Sequence, residues 1–241
     1  MAIFYFFILL FYGECMSAQD DPYIKAREFM VRAQVAARGV HDHRVLNALL
    51  KVPRHLFVSE ALQHRAYEDL TLPIGCNQTI SQPYIVGFMS EAAKLQPTDK
   101  VLEIGTGCGY QAAVLSYLCQ KVYTIEILEP LAKQAQKVIQ KLGYSTLHMR
   151  IGDGYEGWPE AAPFDAIIAT AAPEQVPQTL LNQLKIGGRL IMPVGHFPDQ
   201  HLLRITKTEA VIEEEYLLPV RFVPMTGKVQ EDNTKSYHKN K

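Results

Sequence analysis

The chain has 241 residues, of which 48% are hydrophobic and 20% are charged, and its formal net charge is −1. This length and composition are those of one domain with a full apolar core. The near-neutral charge, without a long basic stripe, argues against nucleic acid as the main partner, because binding phosphates requires clustered Lys and Arg. The cysteines at positions 15, 76, 108 and 119 form no C-x-x-C pair and no metal-ligand spacing, so we predict reduced, buried or half-buried thiols and no bound metal.

The N-terminal segment differs in character from the rest of the chain. Residues 3–12 form an unbroken apolar and aromatic run, long enough for the core of a signal peptide and too short to span a bilayer. No Lys or Arg precedes the run, residues 15–18 make a poor cleavage site, and Met16 offers an internal start. Two interpretations of residues 1–18 therefore stay open, an export signal or a misassigned start codon. The missing positive charges favour a cytoplasmic protein, with export as the alternative.

From residue 20 onward the sequence predicts regular secondary structure. Asp21 and Pro22 predict a helix start, Gly39 its end, and Asp42 the cap of a second helix. In chain order, the predicted elements are helices at 24–38 and 42–50, mixed short structure over 54–98 with a Pro-containing turn at 72–75 and a helix at 85–95, a strand at 101–104, a helix at 109–119, a strand at 121–125, a helix at 129–142, strands at 146–151 and 164–169, a helix at 177–184 that ends in a turn at 184–188, and strands at 189–193, 200–206 and 211–220. This alternation predicts a doubly wound, mostly parallel α/β sheet with N-terminal helical additions. We expect one domain over residues 20–227 and a flexible polar tail at 228–241.

Residues 101–110 carry the strongest indication of a ligand site. A short β-branched apolar run meets the alternating glycines Gly105, Gly107 and Gly109, and a helical stretch follows. Strand, tight glycine turn and helix form the nucleotide-binding opening of a doubly wound sheet. A dinucleotide fingerprint requires G-x-G-x-x-G, but Tyr110 stands at the third glycine position, and no Lys follows the glycines as a P-loop requires. The spacing therefore disfavours both ligand classes.

Acidic residues accompany three loops that follow predicted strands. Glu103 stands two residues before Gly105, Glu126 ends the next strand, and Asp153 lies in a turn after the third. A carboxylate at the position of Glu126 can accept hydrogen bonds from both hydroxyls of a ribose. Such loops lie at the carboxyl edge of the sheet, where ligands bind in this fold. A turn that only packs a helix on the sheet is the alternative, and the three loops together favour a cofactor site.

The pattern E-x-G-x-G-x-G, followed by Glu126, resembles the S-adenosyl-L-methionine site of class I methyltransferases, which have a Rossmann-like fold. The resemblance implies S-adenosyl-L-methionine as cofactor, without metal or nicotinamide. It implies that Glu126 binds the ribose hydroxyls and that Asp153 lies on the adenine side. The implied cofactor-binding residues are Glu103, Gly105, Thr106, Gly107, Gly109, Glu126, Ile127, Asp153, Gly154 and Thr170.

Further segments, spread over residues 23–226, resemble the protein-L-isoaspartate (D-aspartate) O-methyltransferase family. The T-I-S-Q-P element at 79–83 is the most specific of them, because generic methyltransferases lack it. The segments that carry the resemblance are 52–54, 57–58, 72–75, 78–84, 101–110, 152–154, 162–167, 170–173, 187–190, 193–195 and 220–224.

The family resemblance implies a repair reaction. A methyl group passes to the free carboxylate of L-isoaspartyl and D-aspartyl residues in damaged proteins and peptides, and the ester then closes to a succinimide that water opens, partly to normal aspartate. It implies that the hydroxyl of Ser81, with Thr79 beside it, holds the acceptor carboxylate; a helix cap is the alternative role for Ser81. Residues 221–224 are expected either to edge an open substrate cleft or to end an ordinary strand. We expect a monomer.

Three other functions are disfavoured by the sequence. Enzymes that methylate amino groups of nucleic acids carry a D/N-P-P-Y/F motif after the fourth strand, where this chain has Thr-Ala-Ala-Pro at 170–173. An NAD-dependent oxidoreductase is disfavoured by Tyr110. A catalytically inactive binding module would be indicated by loss of Gly105, Gly107, Glu126 or Asp153, and the sequence retains all four.

Overall fold

The computed structural model describes residues 21–229. Residues 1–18, predicted to be an export signal or a misassigned start, lie outside this range, as does nearly all of the polar tail predicted at 228–241. The described α-helices are α1 (Ile24–Phe29), α2 (His43–Lys51), α3 (Pro83–Ala92), α4 (Tyr110–Leu115), α5 (Glu129–Lys141) and α6 (Gln178–Asn182). The described strands are β1 (Leu72–Gly75), β2 (Gln78–Ile80), β3 (Lys100–Ile104), β4 (Lys121–Glu126), β5 (Leu147–Ile151), β6 (Phe164–Ala169), β7 (Leu184–Val194), β8 (Gln200–Lys207) and β9 (Ile212–Val220).

Within residues 21–229, seven strands form the main sheet in the order β5-β4-β3-β6-β7-β8-β9. Strands β3 to β7 pair in parallel, and β8 and β9 complete one edge in antiparallel pairing. The chain winds outward from β3 through β4 to β5, and then from β6 in the other direction. The boundary between β3 and β6 is therefore the topological switch point, where this fold places its ligands. The predicted doubly wound, mostly parallel sheet is confirmed.

The central strands are buried on both faces, which explains their continuous apolar sequences. Successive side chains point to opposite faces, so Val101 joins one apolar cluster while Leu102 and Ile104 join the other. The first cluster includes residues of α2, α3 and α4, and the second includes Leu180 of α6. None of the helices in the described range is long and apolar enough to cross a membrane.

The N-terminal helices largely follow the sequence prediction. α1 continues without a break as a π-helical segment (Met30–Val35) and a 3-10 turn (Ala36–Arg38), so the predicted helix 24–38 is helical throughout but only partly α. It ends at Gly39, whose φ of 99° lies in the left-handed region. Asp42 caps α2 as predicted, because its carboxylate accepts a hydrogen bond of 2.8 Å from the backbone N–H of Arg44.

Two predicted turns are wrong. Residues 72–75 form strand β1, which pairs antiparallel with β2 and places Pro73 opposite Thr79. Proline is tolerated here because β1 has only one neighbour, so its missing N–H breaks no second ladder. The segment expected as a turn before residue 189 is instead the first part of β7, which begins at Leu184 opposite Phe164 and contains an irregularity in the pairing. Residues 185–188 of β7 stand opposite the single residue Asp165 of β6, so the glycines that predict a turn lie in this irregular stretch of the pairing.

Candidate active site

The cofactor loop follows β3 at the switch point of the sheet. The backbone N–H groups of Gly105 and Thr106 both donate to the carbonyl of Ile125 on β4, at 2.9 and 3.1 Å. On the other side, the hydroxyl of Thr170 donates to the carbonyl of Gly105 at 2.8 Å. The loop is therefore held between the ends of β4 and β6, and its residues line a cavity at the carboxyl edge of the sheet.

Two glycines of the loop are required by backbone geometry. Gly105 has φ 91° and Gly107 has φ 54°, a region that favours glycine. A Cβ atom on Gly105 would collide with the Thr170 hydroxyl, and one on Gly107 would lie 3.2 Å from the Ile74 side chain. The backbone of the loop thus comes close to its neighbours and to the cavity, as the sequence pattern predicts.

Glu126 presents a positioned carboxylate to this cavity. Its Oε2 accepts a hydrogen bond of 2.8 Å from the N–H of Gly107, and its Oε1 accepts one of 2.9 Å from the N–H of Leu128. The side chain is 5% exposed and lines the cavity. Each oxygen keeps a second lone pair, so the carboxylate can accept two further bonds from adjacent hydroxyls. This pair of acceptors fits the ribose hydroxyls of S-adenosyl-L-methionine.

Glu103 supports the loop from the sheet and is absent from the residues that line the cavity in the described chain. It is fully buried, and its Oε2 accepts a hydrogen bond from the hydroxyl of Thr124, which in turn lies 2.6 Å from the hydroxyl of Thr106. Burial raises the pKa of Glu103 to about 8, so its carboxyl is protonated at neutral pH. The chain Glu103–Thr124–Thr106 connects the strand interior to the cofactor loop.

Most of the sequence-predicted cofactor residues meet at this one cavity. Within residues 21–229, its lining contains Gly105, Thr106, Gly107, Glu126, Ile127, Gly154 and Thr170. Gly109 and Asp153 are absent from that lining, as is Glu103. Gly109 has φ 91° and precedes α4, where a Cβ atom would lie 3.1 Å from Ile139. Asp153 accepts hydrogen bonds from the backbone N–H groups of Tyr155 and Lys228, at 2.9 and 2.7 Å, and so shapes the turn that presents Gly154.

Ser81 and Thr79 lie where this cavity meets an open cleft. Both residues line the cofactor cavity and also the cleft, which extends along residues 197–201 and 218–224. The alternative that Ser81 caps α3 is wrong, because Gln82 occupies the N-cap position. The backbone carbonyl of Ser81 instead accepts a hydrogen bond of 2.8 Å from Arg54.

The far wall of the cleft is the segment at 221–224, which follows β9 rather than extending it. Gln200, 2% exposed, accepts a hydrogen bond of 2.6 Å from the N–H of Phe222. The backbone of Ala172 bonds to Val223 at 2.9 Å and to Met225 at 2.8 Å. These contacts hold the segment beside the loop that follows β6, so Val223 and Pro224 line both the cleft and the cofactor cavity.

Sequence reasoning missed two residues near the site. Gln111 is 7% exposed, lines the cofactor cavity and donates a hydrogen bond of 2.9 Å to the hydroxyl of Ser90. Its position in the first turn after the glycine loop was a usable signal, because that turn faces the ligand in this fold. Arg54 lies in one of the segments that resemble the family, but nothing in the sequence around it indicates a role.

Fold and site together define a class I S-adenosyl-L-methionine-dependent methyltransferase: a parallel sheet with a glycine turn after its first strand and a buried carboxylate at the end of its second. Within this class, the sequence model of the protein-L-isoaspartate(D-aspartate) O-methyltransferase family matches residues 25–230, and the chain belongs to that family. Its cofactor is S-adenosyl-L-methionine.

Relatives in this family are similar over most of their length. A protein-L-isoaspartate O-methyltransferase of Picosynechococcus is 54% identical over 207 residues, which cover 86% of this chain and 93% of the relative. One from Opitutus terrae is 52% identical over 220 residues, covering 91% of this chain and 94% of the relative. The family match over residues 25–230 includes both the cofactor loop and the open cleft.

Solved structures agree with this assignment. A protein-L-isoaspartate O-methyltransferase structure superposes with a TM-score of 0.79 at 31% identity and covers 87% of this chain and 69% of its own. A Plasmodium falciparum protein assigned to the same enzyme family, in complex with S-adenosyl-L-homocysteine, superposes with a TM-score of 0.73 at 23% identity, covering 83% of this chain and 98% of its own. At that identity the second comparison shows a shared fold.

Proposed function

We propose that the protein is a repair methyltransferase that esterifies the free carboxylate of L-isoaspartyl residues in damaged proteins and peptides. The observation that carries this proposal is the junction of the two cavities at Thr79 and Ser81. One cavity fits the methyl donor, and the other is an open cleft that admits a polypeptide. The acceptor carboxylate of a bound peptide would lie at the junction, beside the donor methyl.

The residues present are sufficient for this chemistry. The cofactor, when bound, supplies an electrophilic methyl group on a positively charged sulfur. The acceptor carboxylate is ionised near neutral pH, since a carboxyl pKa is about 4, so the site needs no general base. The apolar residues Ile74, Ile104 and Val223 line the cofactor cavity and limit water there, which favours a reaction that converts two opposite charges into neutral products.

The proposed roles of the side chains follow from their positions. The hydroxyl of Ser81, with Thr79 beside it, holds the acceptor carboxylate. Glu126 binds the ribose hydroxyls, while the loop at 105–107 approaches the cofactor through its backbone. Asp153 holds the turn that carries Gly154, next to which the adenine side is expected. Thr170 braces the glycine turn from β6.

The ester formed by the enzyme reacts further without it. The neighbouring backbone amide nitrogen attacks the ester carbonyl, methanol leaves, and a succinimide results. Water then opens the ring at either carbonyl, and one of the two products is normal aspartate. We extend the proposed substrates to D-aspartyl residues, as the family description implies.

A matched pair of peptides tests the proposal. One contains L-isoaspartate, the other L-aspartate at the same position, and both are incubated with the enzyme and a radiolabelled methyl donor. We expect base-labile label on the isoaspartyl peptide and little on its isomer. Equal labelling of both peptides, or base-stable label on Lys, Arg or nucleic acid, would contradict the proposal.

We also propose a cytoplasmic monomer with one domain over residues 20–227. Cys108 and Cys119 are buried as predicted, whereas Cys76 is exposed, so the prediction of a buried or half-buried thiol is wrong there. All three thiols are free, which supports a reducing compartment. N-terminal sequencing of the native protein tests the compartment: a start at Met16 or Ser17 is expected, whereas a start near Gln19 would indicate export. Size-exclusion chromatography with light scattering tests the monomer.

A further inference from the structure

Arg54 is a buried cation behind the wall of the active site. Its side chain is fully buried, its Nε donates to the carbonyl of Ala66 at 2.8 Å, and its Nη2 donates to the carbonyl of Ser81 at 2.8 Å. The centre of the guanidinium lies 4.7 Å from the ring of Tyr110. Both Ser81 and Tyr110 line the cofactor cavity, so the charge is one residue away from the junction where the acceptor is expected.

The charge of Arg54 is not neutralised by an acid in the described chain. Within residues 21–229 the groups that act on its charge are Tyr110, which also interacts with the guanidinium through a side-chain hydrogen bond, Cys108 and Tyr67. Burial raises the pKa of Tyr110 and Tyr67 to about 12 and that of Cys108 to about 11, so these groups are neutral at neutral pH. Burial also lowers the pKa of Arg54, but a guanidinium keeps its proton in proteins.

A second buried arginine, by contrast, has an acidic partner. Arg27, which is 7% exposed, forms an ion pair with Asp21. A buried charge without such a partner is costly, because the group gives up its hydration without a compensating charge. Carbonyl oxygens and an aromatic face offset part of this cost at Arg54. A bound anion at the junction would offset more of it.

Other charges around the junction do not serve this purpose. Among the described residues that line the cofactor cavity, the charged side chain is Glu126, which repels a carboxylate. Arg38 lines the cleft, but it is ion-paired with Asp69 and stacked at 3.6 Å on Tyr84. Arg221 also lines the cleft and is exposed to water, which screens its charge.

We propose that Arg54 is a specificity-determining positioning residue whose buried charge, held against the backbone of Ser81, favours a negatively charged acceptor over a neutral one of the same shape. This inference rests on the proposed function, which places the acceptor carboxylate at Ser81. The charge of Arg54 would also affect turnover by favouring release of the product. Methyl transfer forms the O–CH3 bond as the S–CH3 bond breaks, the electron pair stays on sulfur, and the acceptor becomes neutral. Arg54 therefore attracts the substrate more strongly than the ester product.

A pair of peptides that differ only in acceptor charge tests the proposal. One carries L-isoaspartate, and in the other the free carboxylate is replaced by a carboxamide, which serves as a competitive inhibitor. The KM of the first and the inhibition constant of the second are measured for the wild type, Arg54→Gln and Arg54→Lys. Arg32→Gln is the matched control, because it removes an exposed charge outside both cavities.

We expect the wild type and Arg32→Gln to bind the charged peptide on the order of tenfold more tightly than the carboxamide. Arg54→Gln should raise the KM of the isoaspartyl peptide by a similar factor, with little change in the inhibition constant and in S-adenosyl-L-homocysteine affinity. Arg54→Lys keeps the charge and should keep the preference, even if the loss of one hydrogen bond to a carbonyl shifts both constants.

Several results would overturn the inference. Equal binding of the two peptides by the wild type or by Arg54→Lys would do so, even if Arg54→Gln does not fold. An equal shift of both constants in Arg54→Gln would reduce Arg54 to a structural support. Arg221→Gln is measured as well. If the preference for the charged peptide over the carboxamide were lost in Arg221→Gln and kept in Arg54→Gln, the exposed Arg221 would be its source. Failure of the wild type to label the isoaspartyl peptide at all would instead contradict the proposed function.

Discussion

The cofactor half and the acceptor half of the active site are built in different ways. In the cofactor half, adjacent parallel strands place Gly105, Glu126 and Thr170, and backbone hydrogen bonds fix the polar atoms that face the ligand. The proposed acceptor half combines the β1–β2 hairpin with the segment at 221–224, which are distant in the chain. The first half binds the same small molecule in every cycle, whereas the second must admit many different polypeptides.

This difference in construction matches a difference in exposure. Glu103 and Glu126 are buried beneath or within the cofactor cavity, whereas Thr79 and Arg221 on the acceptor side are exposed. An open cleft can recognise backbone and one carboxylate in any sequence context. Substitutions should therefore separate cleanly into those that weaken cofactor binding and those that weaken acceptor binding.

The largest expected effect concerns Glu103, the acid buried beneath the cofactor cavity. The pKa of folded Glu103 is about 8, against an ordinary value of 4.5, so the unfolded chain loses this proton at lower pH than the folded one. Between about pH 4.5 and 8 the unfolded state binds fewer protons, and the free energy of unfolding falls as pH rises, by up to about 1.4 kcal/mol for each pH unit.

Glu103→Gln removes this dependence. Urea unfolding of the wild type and the variant from pH 5 to 8.5 should show a stability difference that grows in favour of the variant up to pH 8 and then levels off. Glu209→Gln, in the exposed turn between β8 and β9, is the control and should follow the wild type. If the free energy of unfolding changed with pH in the same way for Glu103→Gln and the wild type, the pKa of Glu103 would be the same in the folded and unfolded states, which would contradict the prediction.

The next effect separates the two halves directly. Glu126→Ala removes the acceptors proposed for the ribose hydroxyls and should weaken S-adenosyl-L-homocysteine binding by about 1.5–3 kcal/mol, the range for hydrogen bonds to a charged group. Isothermal titration calorimetry measures it. The exposed Glu129, three residues further along the chain, provides the control Glu129→Gln. A variant with normal cofactor affinity and a raised peptide KM would place Glu126 in the acceptor half.

The smallest effect tests the acceptor half. Gln200→Ala leaves the N–H of Phe222 without its side-chain acceptor and loosens the wall of the cleft. The KM of an isoaspartyl peptide should rise severalfold, by about 1 kcal/mol, while S-adenosyl-L-homocysteine affinity stays near that of the wild type. Steady-state kinetics and calorimetry on the same preparation measure both, with Gln178→Ala on the exposed side of α6 as control. A loss of cofactor affinity would mean that the two halves are coupled through this segment.

The sequence predicts the cofactor half better than the acceptor half because the information is local. Gly105 and Gly107 are identified by their spacing, and the spacing reflects the positive φ angles that the turn requires. Glu126 follows from its place at the end of a strand. The strands of the sheet were found because their side chains are buried on both faces and read as continuous apolar runs.

The remaining features depend on contacts between distant segments. Pro73 and Gly75 read as a turn, and only pairing with β2 makes their segment a strand. Nothing local indicates that Arg54 is fully buried, since its partners are the carbonyls of Ala66 and Ser81. Asp153 was expected on the adenine side, a role that stays a prediction, and its hydrogen bond to Lys228 joins segments 75 residues apart.

The central claim is that Ser81 serves the acceptor and not the cofactor or the fold. Its most direct test is Ser81→Ala, with turnover of an isoaspartyl peptide, S-adenosyl-L-homocysteine affinity and thermal unfolding measured on one preparation. We predict that kcat/KM falls on the order of ten- to a hundredfold, as for a lost hydrogen bond to a charged group, with affinity and melting temperature near those of the wild type. A variant that unfolds, loses cofactor binding or turns over at the wild-type rate would contradict the account.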